Sequence, residues 1–213
     1  MTLLYFPTVA VTLLFVATIQ QQFGQIDIYL FDQILRGRIV PGMKILDAGC
    51  GDGRNLVYLL REGYEVFGVD RDPEAISYMR RMAAPANFTV GDLESIPHAD
   101  ASFDVVICNA VLHFAADEAE FLAMLRGVWR VLKPGAMLFC RLASSIGMEK
   151  RIKRITGRRY LLPDESERYL VDEAYLLKLT NELHAELLDP IKTTIVQDQR
   201  CMTTWVLRKL RSQ

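Results

Sequence analysis

The stretch KILDAGCGDGRNLVYLL, residues 44–60, decides the reading of this chain. An apolar run ends in Asp47. Three glycines follow at alternate positions, Gly49, Gly51 and Gly53, and then Leu56, Leu59 and Leu60 recur at helical spacing. Glycine adopts positive φ freely and lets another group approach the backbone. The stretch is therefore a strand, a tight turn and a helix, with something packed close against the turn.

Outward from it, strands and helices alternate. Tyr64–Asp70 is a second apolar strand, and Asp72 with Pro73 supplies a cap and a first-turn proline for a helix whose inner face carries Ile76, Met79 and Ala83. Asn87–Val90 and Phe103–Ala110 are further strands. Asp117 and Glu120 have capping-box spacing before the stripe Phe121, Leu125, Val128, Trp129 and Leu132. Lys133-Pro134-Gly135 is expected to turn the chain into a fifth strand, Ala136–Ala143. Asp172 caps a helix carrying Leu176, Leu179, Thr180 and Leu183. Two strands flanking Asp198-Gln199-Arg200 must run antiparallel, because so short a connection cannot cross over. Alternating strands and helices imply a parallel sheet covered on both faces, wound right-handedly into a doubly wound α/β sandwich.

The remaining composition narrows the classes. The chain has 213 residues, 51% of them hydrophobic and 24% charged, with a formal net charge of -1. One domain can fill a core, and no bulk charge favours nucleic acid. Cys50, Cys108, Cys140 and Cys201 form no CxxC pair, and His98, His113 and His184 lack metal-ligand spacing. Buried, reduced cysteines in a cytoplasmic protein without a metal are expected. Residues 1–20 carry no charge and are mostly apolar, but Pro7 and several threonines interrupt them. They read as an extension of the domain at 21–213 or as a start codon called too early, with a membrane anchor as the alternative; membrane contact is open only through them.

In a doubly wound sheet the ligand lies beyond the carboxyl ends of the strands. A GxGxxG turn there would cradle a pyrophosphate. This loop differs, and its flanking acids, Asp47 and Asp52, would repel one. That disfavours a nicotinamide oxidoreductase. The acids suit a ligand with a positive part, such as the amino and sulfonium groups of S-adenosylmethionine. Asp70, ending the second strand, can take the vicinal hydroxyls of a ribose. Asp92, after the third strand, can accept from the exocyclic amine of adenine or simply cap a turn.

With these pieces in place, the chain resembles the class I S-adenosylmethionine-dependent methyltransferases from about Gln21 to Lys209. The segments that carry the resemblance are LDAGCGDGRN, VFGVD, GDLESIP, FDVVICNAVLHF and LKPGAML. The run GRNLVYLLREGYEVFGVD is similar to small-molecule enzymes of the tellurite-resistance and thiopurine type. The resemblance implies a Rossmann-like, seven-stranded, mostly parallel sheet with an antiparallel C-terminal strand. It implies S-adenosylmethionine as cofactor, S-adenosylhomocysteine as product and a small-molecule acceptor, with no nucleic acid. The implied cofactor residues are Asp47, Gly49, Cys50, Gly51, Gly53, Asn55, Asp70, Arg71, Asp92, Leu93 and Asn109. Cys50 also reads as merely a small residue of the loop.

His113 lies where that family places residues near the transferred methyl; it is the candidate base, with a structural histidine as the plain alternative. Phe23, Tyr29 and Tyr160 are substrate-side candidates. Residues 144–170 form an insertion after the fifth strand. Its basic cluster, Lys150, Arg151, Lys153, Arg154, Arg158 and Arg159, reads either as a lid that grips an anionic acceptor or as a solvated helix face. The alternatives of another class are a nucleic-acid methyltransferase and a non-catalytic cofactor-binding protein. The first lacks an Asn-Pro-Pro-aromatic motif: CNAV stands in its place.

Overall fold

The computed structural model describes residues 18–211. Residues 1–17, and with them most of the apolar extension, lie outside the described residues. Thr18 caps a short helix, α1 (Ile19–Phe23), through a reciprocal capping box with Gln21. Asp27 caps α2 (Ile28–Leu35) by accepting the Tyr29 N–H at 2.9 Å. Then follow β1 (Lys44–Ala48), α3 (Val57–Arg61), β2 (Glu65–Asp70), α4 (Pro73–Met82), β3 (Phe88–Val90) and β4 (Phe103–Asn109). The second half holds α5 (Glu118–Val131), β5 (Leu132–Ala143), the short strands β6 (Lys153–Thr156), β7 (Arg159–Leu161) and β8 (Glu167–Tyr169), and α6 (Glu173–Glu182). It closes with β9 (Ala185–Leu187), β10 (Lys192–Val196) and β11 (Arg200–Lys209).

The main sheet runs β10-β11-β5-β4-β1-β2-β3. Strands β3, β2, β1, β4 and β5 are mutually parallel, and β11 is antiparallel to both β5 and β10. The seven-stranded, Rossmann-like sheet with an antiparallel C-terminal strand is thus present. One short strand joins it: β9 pairs with Leu207–Lys209 on the same edge of β11 that β10 occupies further along. The two are one edge strand broken at Asp189-Pro190, where proline has no N–H to donate.

Each face of the sheet buries its own core. Ile45, Val105, Ile107 and Phe139 pack beneath Leu30 of α2, Leu59 of α3 and Ile76 and Met79 of α4. Leu46, Val106, Leu138 and Trp205 pack on the other side beneath Phe121, Leu125 and Val128 of α5 and Leu176 and Leu179 of α6. Alternate residues along each strand serve opposite cores, which is why the parallel strands read as unbroken apolar runs.

Two expectations need correction. Lys133-Pro134-Gly135 does not precede the fifth strand but lies inside it. Leu132 already pairs with Phe103, and the register then slips so that Met137 pairs with Val105, leaving the segment as a bulge with Gly135 at φ +85°. The basic cluster is not a helix face. The insertion folds as an antiparallel meander, β6-β7-β8, whose strands carry the β-branched and aromatic residues Ile155, Thr156, Tyr160 and Tyr169.

The chain leaves β1 for β2 and β3 on one side and returns to β4 on the other. The crevice opened by that reversal, at the carboxyl ends of β1 and β4, is where a doubly wound sheet binds its ligand.

Candidate active site

Asp47 sits near the carboxyl end of β1, 1% exposed, and neither carboxylate oxygen has a hydrogen-bond partner among the described residues. Burial pushes its pKa up to about 8, with the charge of Arg54 pulling the other way and that of Asp70 adding to the rise. A buried carboxyl left without donors lacks a partner that a ligand can supply. Asn109, at the end of β4, is also buried, and its amide oxygen and nitrogen have no partner among the described residues.

The three glycines that follow serve different purposes. Gly49 has φ +83°, and a side chain there would run into Val111. A Cβ on Gly53 would meet the Met79 sulfur at 2.5 Å. These two are required by the protein's own packing. Gly51, at φ +51°, has only open space where its Cβ would be, and its N–H donates to Asp70 Oδ2 at 2.8 Å. Asp70 Oδ1 accepts the N–H of Asp72 at 2.9 Å. Asp70 therefore holds the turn in place while facing the crevice.

Two cavities open there. The first, about 230 Å³, is walled by five of the predicted residues, Gly49, Asp70, Arg71, Asp92 and Leu93, and by Gly91, Glu94, Ala110, Val111, Phe114, Glu120 and Met124; Asp47, Gly51 and Asn109 do not line it. Asp92 makes no cap within its own turn, so its carboxylate is available to a ligand. Its apolar wall, Leu93, Val111, Phe114 and Met124, was not foreseen. Phe114 could have been suspected from an aromatic closing the LHF segment after β4; Met124 lies in a stripe that reads as ordinary core. The second cavity, about 240 Å³, shares Ala110 with the first and is lined by His113, Arg54, Arg141, Arg168, Arg200 and the Leu162–Ser166 loop of the insertion, among others. Ala110 itself takes φ +65° and donates its N–H to the Arg141 carbonyl at 2.7 Å.

Several predicted residues fall elsewhere. The Cys50 side chain belongs to the core beneath α3 and α4, against Gly68. Burial and the nearby Asp47 and Asp70 charges push its thiol pKa up, so the loop there contributes backbone only. Asn55 is buried, and its side-chain oxygen accepts the Asp27 N–H at 3.1 Å, fixing the start of α2. Phe23 stacks on Tyr58 with ring centroids 5.1 Å apart, on α3 rather than over the first cavity. The Tyr29 hydroxyl shares a 2.8 Å hydrogen bond with Thr194 of β10, and its ring lies under the Arg141 guanidinium. Tyr160 faces Arg154 and the small core of the insertion.

His113 borders the second cavity but is not placed as a base. Its Nδ1 accepts the Ala143 N–H at 3.1 Å. Burial, with Arg168 and Arg200 nearby, pulls its pKa down to about 4. The ring is neutral, and with Nδ1 accepting, its proton sits on Nε2.

Among the described residues no cluster could hold a metal ion, and no helix is long and apolar enough to cross a membrane. All four cysteines are free and buried.

The sheet order and the crevice are similar to those of the S-adenosylmethionine-dependent methyltransferases. Residues 46–140 match the methyltransferase domain family. The chain is 36% identical over 99 residues to an uncharacterised methyltransferase of Synechocystis, 46% of each chain being covered. It spans about half the length of the curated relatives it matches. Among solved structures, a SAM-dependent methyltransferase from Methanosarcina mazei superposes with a TM-score of 0.68 at 23% identity, covering 84% of this chain and 98% of that one. A TehB-like SAM-dependent methyltransferase from Corynebacterium glutamicum gives 0.58 at 25% identity, covering 86% and 89%.

Proposed function

We propose that this protein transfers a methyl group from S-adenosylmethionine to a small-molecule acceptor. The observation that carries the reading is the pair of cavities meeting at Ala110: one suits the cofactor, the other the acceptor, and methyl must pass between them. When bound, the cofactor supplies a methyl group already activated by its sulfonium. The chain's residues bind and align. Asp47 receives the cationic methionyl end, Gly51 leaves the backbone open to close approach, and Asp70 takes the ribose hydroxyls. Arg71 and Asp92 flank the adenosyl part, while Leu93 and Met124 wall its base. Alignment of two bound reactants lowers a displacement barrier by up to ~7–11 kcal/mol. His113 donates a hydrogen bond through Nε2 to the acceptor rather than removing its proton.

The Leu162–Ser166 loop and Arg168 cover the acceptor side, which gives the insertion its role. A cavity of about 240 Å³ favours a small molecule over a polynucleotide. Four free cysteines suit a reducing, cytoplasmic compartment.

The test is calorimetric. S-adenosylmethionine and S-adenosylhomocysteine should bind the wild-type chain, and Gly51→Asn should abolish binding. Asparagine tolerates the left-handed backbone, so the loss reports the side chain and not strain. A variant that binds like wild type overturns the cofactor assignment. Turnover is then sought with methyl-labelled cofactor over thiols, amines, phenols and oxyanions. Tight cofactor binding with no transfer to any acceptor would make the protein a cofactor-binding module.

A further inference from the structure

The second cavity is lined by four guanidinium-bearing residues from four separate segments: Arg54 after the glycine turn, Arg141 on β5, Arg168 on β8 and Arg200 at the start of β11. Their compensation is incomplete. Arg141 is paired with the buried Asp27 at 2.8 Å, yet its Nε is buried without a partner. Asp164, the cavity's only carboxylate, lies 3.9 Å from Arg200 and already accepts both the N–H and the hydroxyl of Ser166. Arg168 donates to the Glu167 carbonyl at 2.7 Å and lies over the Phe114 ring. The Glu167 carboxylate beside it is taken by Arg159. Arg54 forms no ion pair or side-chain hydrogen bond among the described residues. Two positive charges are left over, and the histidine on the same wall offers a donor, its acceptor nitrogen being spent on Ala143.

A concavity lined by charge of one sign focuses its field and raises the local concentration of ions of the opposite sign. Guanidinium forks and a neutral N–H donor match an oxyanion, which accepts at every oxygen. The basic cluster of the insertion does not serve this purpose. Among its six residues, Arg151 pairs with Asp198, Arg158 with Asp172 and Arg159 with Glu167, and none of the six lines the cavity.

We infer that the methyl acceptor is a small anion, carrying a carboxylate or a phosphate that Arg54, Arg168 and Arg200 grip while His113 donates to it. The inference rests on the reading of the second cavity as the acceptor site. An anion there also offsets the positive charge that the sulfonium of a bound cofactor would otherwise face across Ala110.

The experiment uses the full chain saturated with S-adenosylhomocysteine and titrates it with three probes: succinate, inorganic phosphate and the neutral succinamide. At least one anion should bind about tenfold or more tightly than succinamide, and whether succinate or phosphate prevails separates a carboxylate from a phosphate acceptor. Arg168→Gln and Arg200→Gln should each weaken that anion by about tenfold, less at high salt because the site is partly exposed. The affinity for S-adenosylhomocysteine, measured in the same samples, should stay unchanged and shows that the variants are folded. Anions that bind no better than succinamide, or that ignore both substitutions, overturn the anionic acceptor while leaving the cofactor site intact. Failure of S-adenosylhomocysteine itself to bind wild type overturns the methyltransferase reading instead.

Discussion

His113 and Ala143 are joined across the sheet's carboxyl end: Nδ1 of the ring accepts the backbone N–H at 3.1 Å. That bond fixes the tautomer, and burial keeps the ring neutral. Its pKa falls from 6.5 to about 4, so below pH 6.5 the unfolded chain takes up a proton that the folded chain refuses. The stabilisation is complete above pH 6.5 and is lost as pH falls toward 4, amounting to roughly 3 kcal/mol at most. Urea titrations across that range should show a shallower pH dependence for His113→Gln than for wild type. Equal slopes would mean that the ring titrates normally.

Asp47 works in the opposite direction. Its carboxyl is held protonated up to about pH 8, against an ordinary value of 3.8. Between those limits the unfolded group is ionised and the folded one is not, so stability drops as pH rises through the window. Asp47→Asn should stabilise the free protein at pH 8 by ~1–3 kcal/mol, the scale of an unsatisfied buried group. The same variant should bind S-adenosylmethionine weakly. In the wild type, cofactor binding at neutral pH should release a proton, seen as a binding heat that varies with the buffer's ionisation enthalpy. No buffer dependence would remove Asp47 from contact with the cationic end.

Asp70→Ala should weaken S-adenosylhomocysteine by ~1.5–3 kcal/mol, the range for charge-assisted hydrogen bonds. Because Asp70 also accepts from Gly51 and Asp72, some loss comes from a looser turn. A 2′,3′-dideoxy analogue separates the two contributions. Part of the deficit should vanish with it, and a deficit that persists in full would assign Asp70 to the turn alone.

Gly127 lies on the inner face of α5, where a Cβ would collide with the Leu93 carbonyl. The helix presses directly onto the turn that contributes Asp92 and Leu93 to the first cavity. Gly127→Ala should cost ~1–3 kcal/mol of stability, the range for overpacking, and should lower cofactor affinity because backbone must move. Denaturant midpoints and S-adenosylhomocysteine titration check both. A variant matching wild type in each would show that the helix and turn separate freely.

The sheet was legible because parallel strands buried on both faces are continuous apolar runs bounded by glycine, proline and capping acids, and those signals are local. Asp72, Asp117 and Asp172 cap their helices as the spacing predicts. The strand pairing of the insertion is not legible in the sequence, because its charges and tyrosines fit a solvated helix or a meander equally well and pairing between β6, β7 and β8 is not a local property. Cys50 and Asn55 illustrate the same gap. Both sit inside the glycine motif, but which way a side chain turns depends on what packs against it: Gly68 leaves room for the thiol, and Asp27 lies 28 residues away from the amide that holds it.

The sequence by itself determined the order of elements, the glycine turn and the acids ending successive strands, since these follow from backbone propensity and short-range spacing. Only the tertiary structure decided that Asp47 is buried without a partner among the described residues, that Gly51 alone of the three loop glycines opens to free space, and that His113 spends Nδ1 on the Ala143 N–H. It also decided which arginines share a cavity. Arg54, Arg141, Arg168 and Arg200 are scattered through the chain, and only closure of the sheet and docking of the meander bring them around one cavity. Charge becomes a site when the fold gathers more guanidinium groups than carboxylates around a small volume, and no local pattern records that balance.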